Sequence, residues 1–216
     1  MKRFVLLIAA LCAAGAALAQ SNYNHQRRSL FDSLRVRTCD IVFLGNSITD
    51  GCEWAELFDN RHIRNRGISG DRSDWLLERL DPIVAGHPKK VFLMIGTNDL
   101  AQGAAPAEVA ANVLRLLDRF AAESPWTKVY VQSILPVNGE EFATGFGHLT
   151  QGAAIVETNR LLAELCDGRK KVFYIDVHAA LTDEHGRLDK RYTNDGLHLL
   201  AAGYLVWKEV IKPYVR

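Results

Sequence analysis

The chain has 216 residues, 48% of them hydrophobic, and carries 26 basic against 25 acidic side chains. This length suits one domain with ample core-forming material. Nothing in this near balance of charge points to nucleic acid as a partner, which is usually bound through a strongly basic surface.

The first residues, Met1-Lys2-Arg3, precede an apolar run from Phe4 to Leu18 that ends in Ala17-Leu18-Ala19. A basic start, an apolar middle and a small-x-small end define a signal peptide cut after Ala19. The run is too short and too rich in alanine for a membrane anchor. Cys12 follows Leu11 rather than the small residue that lipid attachment requires. The expected mature protein is therefore residues 20–216, one domain, exported to a periplasm or the medium without a stable membrane anchor. Losing Lys2 and Arg3 leaves 24 basic against 25 acidic residues. Of the cysteines, Cys39, Cys52 and Cys166 remain, an odd number with no metal-cluster spacing. One disulfide can form, and compact thiols in or near the core are the expected state.

A polar arm, Gln20 to Arg28, leads to an apolar-periodic piece around Leu30, Phe31 and Leu34, which predicts a helix on the outside of the sheet. Ile41 to Leu44 is apolar without alternation, the pattern of a strand buried on both faces, and a first strand is expected over Asp40 to Asn46. Trp54, Leu57 and Phe58 fall at helical spacing. His62 to Ile68 alternates weakly and predicts a second, less buried strand. After Gly70 one helix is expected through Leu76, Leu80, Ile83 and Val84, with Asp71 and Ser73 available as caps and Gly86-His87-Pro88 as its stop. Lys90 to Gly96 predicts the third strand. Pro106 sits at a helix start, ahead of Val109, Val113, Leu116, Leu117 and Phe120 on one face. Lys128 to Leu135 predicts the fourth strand. The Gly-rich Val137 to Gly152 is long for a connection and so a functional candidate. Ile155, Thr158, Leu162 and Leu165 mark a helix, Lys171 to Val177 the fifth strand, and Tyr204, Trp207 and Ile211 a final helix from about Leu200.

Five alternations of strand and helix predict a three-layer α/β/α domain around an open parallel sheet, with the flavodoxin-like strand order 2-1-3-4-5. Sites in such sheets form beyond the carboxyl ends of the strands. There the sequence places Gly45-Asn46-Ser47, Gly67-Ile68-Ser69-Gly70-Asp71 and Gly96-Thr97-Asn98-Asp99. Ser47 can cap the next helix or stand as a nucleophile on a strand–turn–helix elbow. Of the seven histidines, His198 is distinguished by Asp195 one turn earlier, a spacing that lets a carboxylate orient the ring and leave the other nitrogen to take a proton. Alternatively, Asp195 caps the last helix and His198 packs beside it.

Four ordered blocks, Gly45-Asn-Ser-Ile-Thr49, Gly67-Ile-Ser-Gly-Asp71, Gly96-Thr-Asn-Asp99 and Asp195-Gly-Leu-His198, resemble those of the SGNH hydrolase superfamily, also called GDSL-type esterases. The resemblance covers roughly residues 40 to 200. It is strongest to the acetylhydrolase-like branch, which includes platelet-activating-factor acetylhydrolase subunits and sialate or other carbohydrate O-acetylesterases. Asn46 stands where the GDSL form has Asp, as is common in that branch.

The resemblance implies Ser47 as nucleophile, His198 as general base and then acid, and Asp195 as the orienting carboxylate. It implies an oxyanion hole from the Ser47 and Gly70 backbone N–H groups and the Asn98 amide. Preorganised donors at the developing oxyanion are worth most in the transition state. The implied reaction is hydrolysis of small esters through an acyl-enzyme, with neither metal nor organic cofactor. A carbohydrate acetyl ester is the preferred substrate, with a short-chain lipid or lysophospholipid ester next. Arg72 (with Arg64 and Arg66), Trp54 (with Trp75) and Phe146 (with Phe142) are candidate substrate contacts. Of the rivals, a nucleotide-binding module lacks its glycine-rich phosphate signature. Asp176, His178, Asp183 and His185 match no usual zinc spacing. A non-catalytic carbohydrate-binding descendant stands against an intact set of Ser47, Gly70, Asn98, Asp195 and His198.

Overall fold

The apolar runs read from the sequence become five parallel strands in the computed structural model, which describes residues 22–142 and 144–216. The strands are β1 (Ile41–Gly45), β2 (Ile63–Gly67), β3 (Lys90–Met94), β4 (Lys128–Gln132) and β5 (Val172–Ile175). They lie in the order β2-β1-β3-β4-β5, as expected. All of β1 and β3 is buried, whereas β2 has a partly exposed middle. Central strands of a parallel sheet are covered on both faces, which is why they are apolar throughout.

Register aligns one aromatic ring from each of β1, β3, β4 and β5. Phe43 partners Phe92, Phe92 partners Tyr130, and Tyr130 partners Phe173. Their rings stack at 4.9, 4.8 and 5.1 Å. Stacked pairs of this kind contribute about 0.5–1.5 kcal/mol each beyond the area they bury. Trp54 extends the row by stacking on Phe43 at 4.3 Å and meets Trp207 edge-on at 4.8 Å. These contacts hold helices α3 (Trp54–Leu57) and α10 (Ala201–Val215) over this face. Side chains alternate along a strand, so Val42, Leu44, Val91, Leu93, Val129 and Val131 serve the opposite face, all within the core. Helix α7 (Pro106–Glu123) packs with α4 (Ser73–Glu78), α5 (Asp81–Val84) and α8 (Gly152–Cys166) as a layer of its own.

Three local expectations change. Residues 22–33 are one helix, α1, so the described part of the polar arm is helical. Its polar face is used: the Tyr23 hydroxyl donates to Asp50 Oδ2 at 2.7 Å and the Asn24 amide to Asp71 Oδ1 at 3.1 Å. The single helix expected after Gly70 is two, α4 and α5, because Pro82 in the first turn of α5 has no N–H to continue the ladder. Neither Asp71 nor Ser73 caps α4. Asp71 binds Arg79, and Ser73 binds the Asp99 carboxylate through its N–H and hydroxyl. The signal-peptide and Cys12 expectations concern residues outside those described. Among the described residues Cys39 is exposed and free, while Cys52 and Cys166 are free and buried. Burial pushes the Cys52 thiol up to about 12 and the Cys166 thiol to about 11.

The Asp71–Arg79 pair is the most buried ion pair among the described residues. Arg79 Nε donates to Asp71 Oδ2 at 2.7 Å, and its Nη2 reaches Gly45 O at 3.1 Å. The two side chains are 0% and 3% exposed. Removing one partner of such a pair strands a charge in the interior, at a cost of about 3–5 kcal/mol. Arg79→Leu is expected to lower the stability by that amount in urea unfolding. A loss below about 1 kcal/mol would show that the turns at Gly45 and Asp71 hold without it.

Candidate active site

Immediately after β1 the backbone turns at Asn46 into the four-residue helix α2 (Ser47–Asp50). Asn46 is the cap: its side-chain oxygen accepts from Ile48 N at 3.1 Å. That releases Ser47 from the capping role open to it on sequence grounds. Its hydroxyl instead lies 3.1 Å from His198 Nε2. Two tethers fix α2. The Tyr204 hydroxyl of α10 donates to Ile48 O at 2.8 Å, and the Asn65 amide of β2 donates to Thr49 O and Cys52 O, each at 3.0 Å. Gly67 allows this closeness, since a Cβ there would fall 2.2 Å from Asp50 N.

His198 sits on the turn before α10. Its Nδ1 lies 2.7 Å from Asp195 Oδ2, and Asp195 Oδ1 accepts the backbone N–H groups of Leu197 and His198 at 2.9 and 2.7 Å. Asp195 does not cap α10, whose cap residue is Leu200. Both of its oxygens organise the turn and the imidazole. Burial works to raise the Asp195 carboxyl, but the hydrogen bonds from His198 and the backbone outweigh it and keep the group below the ordinary carboxylate range. An ionised Asp195 accepts a hydrogen bond from the Nδ1–H of His198, so Nε2 is the nitrogen free to accept from Ser47.

The other two turns meet beside this line. Gly70, at φ 74°, reverses the chain after β2. Asn98, in the short helix α6 (Thr97–Ala101), is buried and donates one amide hydrogen to Asp71 O at 2.8 Å. The Gly70–Asp71 turn and the Asn98 amide thus form one unit, with the second amide hydrogen of Asn98 not used by that bond.

Of the expected substrate contacts, Phe146 is 42% exposed and meets the His198 ring edge-on at 6.3 Å. Trp54 is a correction. It is 1% exposed, donates its indole N–H to Thr49 O at 2.8 Å, and serves the core. Arg72 is also corrected, because its guanidinium is held by Asp74, donates to Gln102 Oε1 at 2.6 Å and covers the Trp75 ring. Arg64 is paired with Asp40, and Arg66 is buried over the Phe31 ring.

His148 was not distinguished by the sequence. It lies in the 3-10 turn Gly147–Thr150 of the long Gly-rich connection, with Nε2 2.8 Å from Asn98 Oδ1. Burial, then the nearby His198, push its imidazole below the ordinary value, and Asp195 only partly opposes them. Its one available signal was position, in a connection too long to be a mere link. Among the described residues, Cys39, Asp40 and His62 have metal-binding spacing, but they lie at the amino end of β1, away from Ser47. The Arg64 guanidinium, 3.1 Å from Asp40 Oδ1, already compensates that carboxylate.

At the carboxyl edge of the open parallel sheet a hydroxyl, an imidazole and a carboxylate stand in line, and the chain's family match makes the class a carboxylic ester hydrolase. Residues 43–206 match the model of the GDSL-like lipase/acylhydrolase family, and the chain belongs to that family, within the SGNH hydrolases. It is 27% identical to Escherichia coli N-acylneuraminate cytidylyltransferase over 201 residues, covering 90% of this chain but 44% of that one. The chain thus spans less than half of that relative. It is 27% identical over 175 residues to the bovine platelet-activating factor acetylhydrolase IB subunit alpha1, covering 76% of this chain and 70% of that one. Among solved structures, one from Streptococcus pneumonia, described as a platelet activating factor, superposes with TM-score 0.86 at 32% identity. That match covers 98% of this chain and 99% of the other.

Proposed function

We propose that this enzyme removes acetyl groups from carbohydrate esters, using Ser47, His198 and Asp195 as a catalytic triad. The observation that carries the reading is the unbroken line from Ser47 Oγ through His198 to Asp195, at 3.1 and 2.7 Å, beside the Asn98 amide. Ser47 Oγ attacks the ester carbonyl carbon as its proton passes to His198 Nε2. The carbonyl oxygen becomes an oxyanion facing the Asn98 amide and the backbone N–H groups of Ser47 and Gly70. Collapse breaks the bond to the alcohol, which leaves with the proton from His198. Water then attacks the acyl-Ser47 ester, giving up its proton to His198, and the acid departs as Ser47 regains its hydrogen.

An acetyl group and a sugar alcohol are each supported by a relative. One similar protein is named for acetyl hydrolysis. Another is a cytidylyltransferase named for an N-acylated sugar acid, whose acyl group is an amide, so it supports the sugar and not the ester. A short-chain lipid ester is the second reading, favoured by the exposed Phe146 ring beside His198. The test is acetate release from O-acetylated sialic acid and acetylated xylose, with 4-nitrophenyl acetate, butyrate and octanoate run in parallel. The expected order places acetyl esters first, with measurable deacetylation of a sugar. Preference for octanoate would overturn the acetyl assignment in favour of a lipid ester. No turnover of any ester would leave the non-catalytic sugar-binding alternative.

A further inference from the structure

The Asn98 side chain can lie in its pocket two ways, because its oxygen and nitrogen have nearly the same shape. Only one of them aims an N–H at the reacting carbonyl. Asp71 O fixes the choice from one side, since a carbonyl oxygen can only accept, and the Asn98 nitrogen lies 2.8 Å from it. His148 Nε2 lies 2.8 Å from the Asn98 oxygen, which can likewise only accept, so this imidazole must carry its proton on Nε2. The other nitrogen, Nδ1, is buried and has no hydrogen-bond partner among the described residues. A buried unpaired acceptor is unfavourable, and the arrangement retains it while spending the imidazole's one N–H on Asn98. Phe146, two residues earlier, meets both the His148 and the His198 rings edge-on, at 6.2 and 6.3 Å. One short segment of the Gly-rich connection therefore touches the base and the oxyanion amide together.

We propose that His148 is a positioning residue for the oxyanion hole: its Nε2–H locks the Asn98 amide so that the second amide hydrogen faces the oxyanion. The donated hydrogen bond also polarises the amide, making its N–H groups stronger donors, as linked hydrogen bonds do. This inference rests on the esterase reading for its catalytic consequence, but the contact itself is testable without turnover.

The decisive set is His148→Leu, His148→Gln, Asn98→Ala and the Asn98→Ala/His148→Leu double variant, assayed on 4-nitrophenyl acetate beside the wild type and Ser47→Ala. His148→Leu is expected to lower kcat by about ten- to a hundredfold with KM within about twofold, a fraction of what deleting a whole oxyanion donor costs. Glutamine carries an N–H₂ near the place of Nε2, and His148→Gln is expected to recover most of that loss. The double variant is expected to match Asn98→Ala alone, because His148 has nothing left to hold. A wild-type rate in His148→Leu, multiplying losses in the double variant, or a glutamine variant as poor as the leucine one would each overturn the proposal. A purely structural role would not give the rescue by glutamine.

Nitrogen-15 NMR of the wild type supplies the readout that does not depend on turnover. His148 should show the Nε2–H tautomer, and the Asn98 side-chain amide pair should shift in His148→Leu. A wild type no faster than Ser47→Ala would sink the esterase reading while these signals still decide the contact. The Nδ1–H tautomer, or an unmoved amide pair, would end the His148 assignment whatever the activity.

Discussion

Ser47→Ala is expected to lower kcat for 4-nitrophenyl acetate by at least about a thousandfold, leaving only the part of catalysis that binding and the oxyanion donors supply. The reason is positional. The hydroxyl stands 3.1 Å from His198 Nε2, and among the described residues no other hydroxyl bonds that nitrogen. Stability should not follow activity down. The capping bond at the start of α2 belongs to Asn46, and the carbonyls of α2 are held by Tyr204 and Asn65, so alanine removes no structural contact besides the one to His198. Thermal unfolding of the variant should overlay that of the wild type. A fluorophosphonate should add its mass to the wild type and not to the variant. If Ser47→Ala kept most of the activity, the nucleophile would have to be sought elsewhere.

Asp195→Asn is the second large effect, about ten-thousandfold in kcat, and it works through a proton rather than a missing atom. The asparagine oxygen can replace Oδ1 and keep accepting from Leu197 N and His198 N, so the turn persists. Its N–H₂ group then takes the place of Oδ2 and offers His198 Nδ1 a donor where the wild type offers an acceptor. The ring answers by moving its proton to Nε2, which can no longer accept from Ser47. Circular dichroism should be unchanged while the burst of 4-nitrophenol disappears. A variant within tenfold of wild type would mean that the carboxylate does not set the tautomer.

The sheet was legible because its signal is short-range and repeated. Buried parallel strands must be apolar on both faces, and those of β1 and β3 are, so placement followed from hydrophobic runs. Right-handed crossovers pointed to an open doubly wound sheet without dictating the order of its strands. Ser47, Gly70, Asn98, Asp195 and His198 were legible because each lies in a block of fixed spacing at a strand end or before the last helix. What failed to show depends on contacts between distant residues. The polar Tyr23 and Asn24 look like solvent-facing arm residues until Asp50 and Asp71 are seen beneath them. Trp54 reads as a candidate substrate contact until Phe43 and Trp207 enclose it. Arg72 offers an anion site only until Asp74 occupies it. His148 stands 50 positions from Asn98, in a connection without periodicity, and no local pattern links the two.

The contact between Gly67 and the backbone of Asp50 divides the chain into positions open to redesign and positions closed to it. Even one methyl at 67 would collide with the Thr49–Asp50 peptide of α2, the helix that begins at Ser47. Libraries meant to change substrate choice would therefore gain nothing at the strand ends. They belong at the side chains of Phe142 and Phe146 on the rim, with His148 left in place beside Asn98.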